Sequence, residues 1–376
     1  FNLMSKICHV ISGYLRDDAR INRQCQSLLK DGHEVYLLTN DGLSNEEVKG
    51  IKIRVCKTFF KSRFKELLFA RWQFSEKIKE INADIYQLHS PELLNLVYLL
   101  KKNNKKVIYD AHEDLPNHIL EKEWIPLFFR KFISLISILY FHLVLPKLDG
   151  IISPHSHVSE KLKEINNASL EISNFPSIKS SKSFDLSNYL SRKEIICYAG
   201  SVYSYSNQEN AIDVVKNIEN LKYYVAGHID QAFKETLEKR ADSKNIKYLG
   251  RLGKKELSEF LSSSIIGLSI YDYKKNLGDK MGSFATNKLF EYMEAGLPII
   301  CTDFNMWKNL IEETNCGICV EPNNKEELRK AILFLLSDKK TAYEMGQNGR
   351  LAVEKKYNWL SQEKKYNKIF NKILNS

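Results

Sequence analysis

The densest chemical signal in the chain lies at residues 282–298, G-S-F-A-T-N-K-L-F-E-Y-M-E-A-G-L-P. The spacing predicts a helix that opens near Thr286, a residue type suited to an N-cap, and that closes at Gly296-Leu297-Pro298. Free N–H groups and a positive dipole end make such a helix start attractive to anions, phosphate above all. Lys288 falls in the first turn, where a cation opposes the dipole. Helix stability does not explain it; an anionic ligand does. Glu291, one turn further, is spaced to accept hydrogen bonds from vicinal hydroxyls such as those of a ribose. The alternative is a solvated Lys–Glu pair at i, i+3, worth a few tenths of a kcal/mol.

Histidines give a second set. His112 follows Asp110 and precedes Glu113 and Asp114 at a predicted strand end, where side chains meet ligands. Its alternative is a hydrogen-bonded structural histidine, and His89, at another strand end, is the weaker candidate. His155-Ser156-His157 has no carboxylate or cysteine set beside it, which speaks against a metal site. Cys316 and Cys319 form a single C-x-x-C, short of the four ligands zinc takes, and read as core thiols. No Asp-x-Asp occurs, so no divalent ion bridged by paired carboxylates is expected.

These residues need strands and helices to position them. Short apolar runs at 7–11, 35–39, 51–56, 85–88, 107–109 and 151–153 alternate with helical patterns, the first at 17–30. That order implies a parallel sheet covered on both faces. The apolar period lapses over 174–193, which is Ser- and Lys-rich after Asn174-Phe175-Pro176. A second series follows at 195–199, 223–226, 246–249, 265–270, 298–301 and 318–320. The expected organisation is one Rossmann-like domain at 1–180, a linker at 181–193 and a second such domain at 194–356. A closing helical segment at 357–376 packs its apolar stripe back on the first.

Composition agrees with two globular domains. The 376 residues are 43% hydrophobic and 27% charged, which excludes a disordered or fibrous chain. The net charge of +10 favours anionic partners. Residues 49–79 hold ten Lys/Arg against Glu66 and Glu76. Within them, 57–79 interleaves aromatic residues with Lys61, Arg63, Lys65 and Arg71. That pattern suits an anionic membrane surface, or an ordinary helix with solvated lysines. The uncharged stretch 132–146 is too short to span a bilayer and reads as a buried core helix, with an interfacial position as the alternative. Seven scattered cysteines and no visible signal peptide suit a reducing, cytoplasmic compartment.

The segment NKLFEYMEAGLPII resembles the C-terminal donor motif of glycosyltransferase family 4, a retaining family with the GT-B fold. VIYDAHEDLPNHILEKEWIP, at 107–126, is similar to the D-x-H-E-D stretch of its bacterial polysaccharide members. ARINRQCQSLLKDGHEVYLLT resembles the family's first helix and second strand, and SNFP and YNWLSQEKKYNKIF also fit, so the resemblance covers nearly the whole chain. It implies an α/β fold of two tandem doubly wound Rossmann-like domains facing across a cleft. The second would bind a nucleotide-sugar donor and the first an acceptor.

Glu291 matches the second glutamate of the family's Glu-x7-Glu motif, which binds the ribose; the first falls where this chain has Ser283. His112 matches the family histidine expected to reach the transferred sugar, so His112 and Ser283 are the implied catalytic positions. Gly282, Phe284 and Ala285 are implied to face sugar and diphosphate, with Asn287, Lys288 and Gly227 in the same donor set. Gly200-Ser201 matches the glycine turn after the second domain's first strand. Where the family often carries a basic pair, this chain has Ser201 and Asn207, which leaves the phosphate charge to Lys288, Arg251 or Lys280, and the helix dipole. The acceptor is expected near Gly13, Tyr14, Arg20 and Glu113.

The implied activity is retaining and metal-independent transfer from a UDP- or GDP-linked sugar to a hydroxyl of a lipid-linked glycan, in bacterial surface polysaccharide synthesis. The protein would be cytoplasmic, with attachment to the inner face of the cell membrane as an option. Neither a bound cofactor nor a nucleic-acid partner is expected. Two alternatives stay open: a nucleotide-sugar 2-epimerase of the same architecture, and a non-catalytic scaffold, since fold alone does not establish function.

Overall fold

The structure, a computed structural model, describes residues 4–13, 16, 18–56, 63–122, 125–178, 185–241 and 244–375, and the backbone alone at 63–68 and 241. It divides into two compact units, Phe1–Asn174 with Trp359–Ser376, and Phe175–Asn358.

The first unit is built on β1 (Lys6–Val10), β2 (Glu34–Thr39), β3 (Glu46–Val48), β4 (Ile51–Val55), β5 (Ile85–Leu88), β6 (Lys106–Asp110), β7 (Gly150–Ser153) and β8 (Ser169–Glu171). Their order across the sheet is β3-β4-β2-β1-β5-β6-β7-β8, parallel except for the antiparallel edge strand β3. The second unit holds β9 (Ile195–Ala199), β10 (Lys222–Ala226), β11 (Ile246–Gly250), β12 (Ile266–Ser269), β13 (Ile299–Thr302) and β14 (Gly317–Val320), all parallel in the order β11-β10-β9-β12-β13-β14. Every residue of β5, β7, β9, β12 and β13 is buried, as helices on both faces of a parallel sheet require. Each order reverses once, between β1 and β5 and between β9 and β12. Loops diverge at such a point and open a crevice at the carboxyl ends of the strands.

The Trp359–Leu374 helix closes the first unit. Trp359, Tyr366, Ile369, Phe370 and Ile373 enter a core shared with Ile7, Ile85 and Ile108. Its two polar aromatics find partners there: Tyr366 donates to Gln87 Oε1 at 2.7 Å and Trp359 Nε1 to Ser27 Oγ at 2.8 Å.

Four expectations need correction. The segment expected as a linker at 181–193 is, from 185 onward, part of the second unit. The Leu186–Leu190 helix buries Tyr189, whose hydroxyl donates to Ile265 O at 2.9 Å, and Arg192 donates to Ser264 O and Ala295 O. The second unit begins earlier than 194 because Phe175 stacks edge-on to Phe290, with ring centroids 4.6 Å apart. Tyr357, expected in the closing segment, packs on Phe290 in the same cluster. Finally, the stretch 132–146 read as a buried core helix falls, up to Val144, in the Leu127–Val144 helix, whose buried residues are Ser134, Ser137, Phe141 and Val144 and whose apolar residues mostly face outward.

Candidate active site

In the second unit two glycine turns meet at adjacent strand ends. Gly200 follows β9 with φ 141° and Gly227 follows β10 with φ 150°. A Cβ on Gly227 would stand 2.0 Å from the Gly200 carbonyl oxygen, so only glycine allows this approach. Lys288 closes the third side. It opens the Lys288–Glu294 helix, is 7% exposed, and its Nζ lies 3.0 Å from where a Cβ on Gly200 would be. The ammonium donates to the Tyr271 hydroxyl and sits 3.8 Å from the Tyr198 ring centroid and 4.7 Å from that of Tyr271. It forms no ion pair among the described residues. Burial lowers its pKa, while the Tyr198 phenol and then Glu291 oppose that shift. Tyr271 lies two residues past the end of β12, so this cation occupies the point where the strand order reverses.

The neighbouring segment is held by its own backbone. Gly282 has φ 73° and lies where a Cβ would meet Phe304 at 2.5 Å. Ser283 is buried; its Oγ accepts from Ala285 N at 3.1 Å and its carbonyl from Trp307 Nε1 at 2.9 Å. The Phe284 ring packs against Phe175, Phe290 and Tyr357, so that residue offers a ligand its backbone rather than its side chain. The expected N-cap at Thr286 is corrected to Asn287, an exposed residue that makes no side-chain cap bond. Glu291 is half-buried one turn inside the helix.

The neutral positions have local reasons. The Ser201 carbonyl accepts from the Tyr198 hydroxyl at 2.9 Å. Asn207 takes a left-handed conformation, φ 53°, and donates to Asp272 Oδ1 at 2.6 Å. Lys280 is engaged by Asp303 at 2.8 Å and Tyr273 at 2.6 Å, which hold its pKa up, and Arg251 stands exposed after β11. Tyr198, Tyr271 and Asp272 were not singled out in the sequence. The signal that finds Tyr271 and Asp272 is their place just past the apolar run 265–270, at a strand's carboxyl end.

In the first unit a polar chain runs inward from the carboxyl ends of β5 and β6. Asp110 is fully buried at the end of β6. Arg20 grips it with Nε to Oδ2 at 3.1 Å and Nη2 to Oδ1 at 2.8 Å. The same guanidinium donates to Ile172 O at 2.8 Å and Asn174 Oδ1 at 2.6 Å. Arg20, expected as an acceptor contact, is 5% exposed and spent on these bonds; it holds Asp110 in place. His89 Nδ1 lies 3.3 Å from His112 Nε2 and 3.4 Å from Asp110 Oδ2, and His89 Nε2 lies 2.9 Å from His9 Nδ1. His112 completes the trio 3.6 Å from Asp110 Oδ2.

Among the described residues His89, Asp110 and His112 are the group with the makings of a metal site. The same Asp110 oxygen already accepts from Arg20 and from Gln24, the latter at 2.9 Å. Burial lowers the His112 pKa to about 4 against the pull of Asp110, although the ring is 35% open. It is therefore neutral at pH 7 and offers one donor and one acceptor. His112, His89, Glu113 and Ser12 line a cavity of about 670 Å³, whose mainly apolar wall also carries Glu92, His118 and Lys122. Glu113 is exposed and pairs with His118, and Asp114 caps the Leu115–Leu120 helix while binding Lys161 at 3.1 Å. Gly13, φ 58°, donates to Asn40 Oδ1 at 2.7 Å; Tyr14 lies outside the described residues.

Comparison with known proteins matches both units. The family described as glycosyl transferases group 1 matches residues 182–352, and glycosyltransferase family 4 matches 20–172. The chain is a family 4-like glycosyltransferase. Its fold is GT-B, two tandem Rossmann-like domains. A sucrose-phosphate synthase of Thermosynechococcus elongatus is similar with a TM-score of 0.77 at 13% identity, covering 99% of each chain. HepE of Anabaena, in a structure with UDP-glucose, is similar with a TM-score of 0.71 at 11% identity, covering 98% of this chain and 100% of that one. An uncharacterised glycosyltransferase of Methanocaldococcus jannaschii is 23% identical over 214 residues, 55% of this chain and 52% of its own length. The chain thus matches about half the length of that curated relative. As a family 4-like glycosyltransferase it departs from the usual donor motif at Ser283, whose hydroxyl serves the turn at Ala285.

Proposed function

We propose that the chain moves a sugar, with retention at the anomeric carbon, from a nucleoside diphosphate donor to a hydroxyl of a lipid-linked glycan in surface polysaccharide synthesis. One observation carries the reading: a buried ammonium, Lys288, without a carboxylate in contact, stands beside two glycine backbones at the strand-order reversal of the second unit. A diphosphate is the ligand chemistry that such a cation and bare backbone suit. Glu291 follows at the spacing that suits the ribose, and the HepE structure with UDP-glucose supports a UDP-linked donor.

Ser283 and the backbone of Gly282, Phe284 and Ala285 face the sugar, and Gly200, Ser201, Gly227 and Asn287 complete the donor contacts. Fixed charge and backbone dipoles stabilise the leaving diphosphate, so the reaction needs no divalent ion. Substitution proceeds on one face, with the leaving phosphate taking the acceptor proton. His112, neutral and partly open, hydrogen-bonds the transferred sugar, and the acceptor lies beside it and Glu113. The seven cysteines are all free thiols, which supports a reducing, cytoplasmic setting.

Incubation with a panel of UDP- and GDP-sugars tests the reading. Nucleotide release that depends on a lipid-linked glycan is the expected result; epimerised donor without acceptor would replace it with the 2-epimerase.

A further inference from the structure

The Leu127–Val144 helix reverses the pattern of a surface helix. Its inward face holds Ser134, Ser137, Phe141 and Val144. Both serines are satisfied locally, Ser134 Oγ by Pro116 O at 3.0 Å and Ser137 Oγ by Ser134 O at 2.7 Å. Outward stand Leu127, Phe128, Phe132, Leu135, Leu139 and Leu143, each more than half exposed and Phe128 at 77%. Water selects the opposite arrangement, and a contiguous apolar patch of this kind marks an interaction surface.

Charge indicates what covers it. Residues 124–148 contain Arg130, Lys131 and Lys147 and no Asp or Glu. Lys131 is exposed near the start of the helix. Lys147 is exposed just past its end, with its ammonium 5.7 Å from the centroid of the exposed Tyr98 ring. Cations at both ends of an apolar face, with an aromatic hydroxyl at one, match anionic headgroups above an acyl layer. At 18 residues the helix is about 27 Å long.

The cavity beside His112 continues this face inward. Ile133 and Ile136 belong to both, exposed on the helix and lining the cavity. Leu115, Ile119 and Tyr140 carry the apolar wall on toward His89 and His112. The volume of about 670 Å³ is in the range of sites that enclose an organic ligand.

We propose that this helix lies in the interface of an anionic bilayer and that the cavity behind it takes the aliphatic chain of the acceptor lipid, delivering its polar head to His112. The inference rests on the acceptor being lipid-linked, as proposed above. Isoprenoid and fatty acyl chains share the required chemistry.

The test uses the full chain and mixed phosphatidylcholine–phosphatidylglycerol vesicles. Wild type co-sediments, and Phe128→Glu/Leu135→Glu/Leu139→Glu, confined to the exposed face, binds at least about tenfold more weakly. Equal sedimentation of the two proteins overturns the docking. So does a wild-type dimer that ignores vesicles and is dispersed by the same substitutions, which would make the face an interface between copies. For the cavity, a diazirine-bearing alkyl phosphate is photolysed in the vesicles and the labelled peptides mapped. Labels at Leu115 or Ile119, which line the cavity away from the exposed helix, support the chain site. Competition by a polyprenyl phosphate identifies an isoprenoid, and competition by excess phosphatidylglycerol an acyl chain. Labels restricted to the Leu127–Val144 helix overturn the cavity. Transfer to a water-soluble glycan by a protein that ignores vesicles would sink this inference and leave the transferase standing.

Discussion

Replacing Lys288 by Met keeps most of the side-chain length and removes the charge. An ammonium about 4 Å from one diphosphate charge, at an effective dielectric near 20, gains roughly 4 kcal/mol before desolvation. Lys288 is already buried, so little further desolvation is due. Hydrogen bonds to charged groups net about 1.5–3 kcal/mol, and we take ~2 kcal/mol, about thirtyfold in affinity. Calorimetry should therefore show UDP binding about thirtyfold weaker, with uridine within about twofold of wild type. The unliganded protein should behave oppositely. Burial places the folded pKa of Lys288 below its unfolded value of 10.5. Between the two values the unfolded chain binds more protons, so stability rises with pH there, and below the folded value the buried charge costs stability. Lys288→Met removes that cost, and Tyr271 keeps its bond to Tyr198 at 3.0 Å. The unliganded melting temperature at pH 7 should hold or rise, and the alkaline rise should flatten. Equal losses for UDP and uridine, or a marked fall in melting temperature, would refute the reasoning.

Glu291→Ala should weaken UDP and uridine alike, by about tenfold, because the ribose is common to both; unchanged calorimetric affinity would remove the ribose contact. Asp110→Asn strands the Arg20 guanidinium in the interior and should cost about 3–5 kcal/mol in urea unfolding; a loss under ~1 kcal/mol would show that the pair does not hold the site. His112 has a folded pKa of about 4, below its unfolded value of 6.5, so its contribution is full above pH 6.5 and is lost as pH falls toward 4. His112→Asn should shallow that acid limb, with His155, also lowered to about 4, retaining part of it; an unchanged limb would contradict the buried imidazole.

The strands that position the site were legible because parallel sheets write continuous apolar runs. The two strands missed lack that signature: Glu46–Val48 is wholly exposed at the edge, and Ser169–Glu171 has one buried residue. Composition misled at 185–193, where Ser and Lys surround a single anchoring aromatic, Tyr189. Lys288 could be read from local spacing, and the glycine turns from the resemblance to the family. Tyr198 could not, because a tyrosine within an apolar run reads as core. Arg20 was misplaced for a related reason: its partner Asp110 is 90 positions away, and nothing local marks a buried ion pair. The apolar helix shows the opposite limit, since composition does not say which way a helix turns its leucines.

The last helix belongs to the first unit, so the chain leaves that unit at Asn174 and returns to it only at Trp359. On the ribosome the second unit is therefore complete before the first can be. Until Tyr366 and Phe370 emerge, the Gln87 amide oxygen and the surface around Ile85 and Ile108 wait without their cover. A nascent or truncated chain stopping before Trp359 should thus expose a sticky face on the earlier-made half and depend on chaperones there, while the later-made half is already sound.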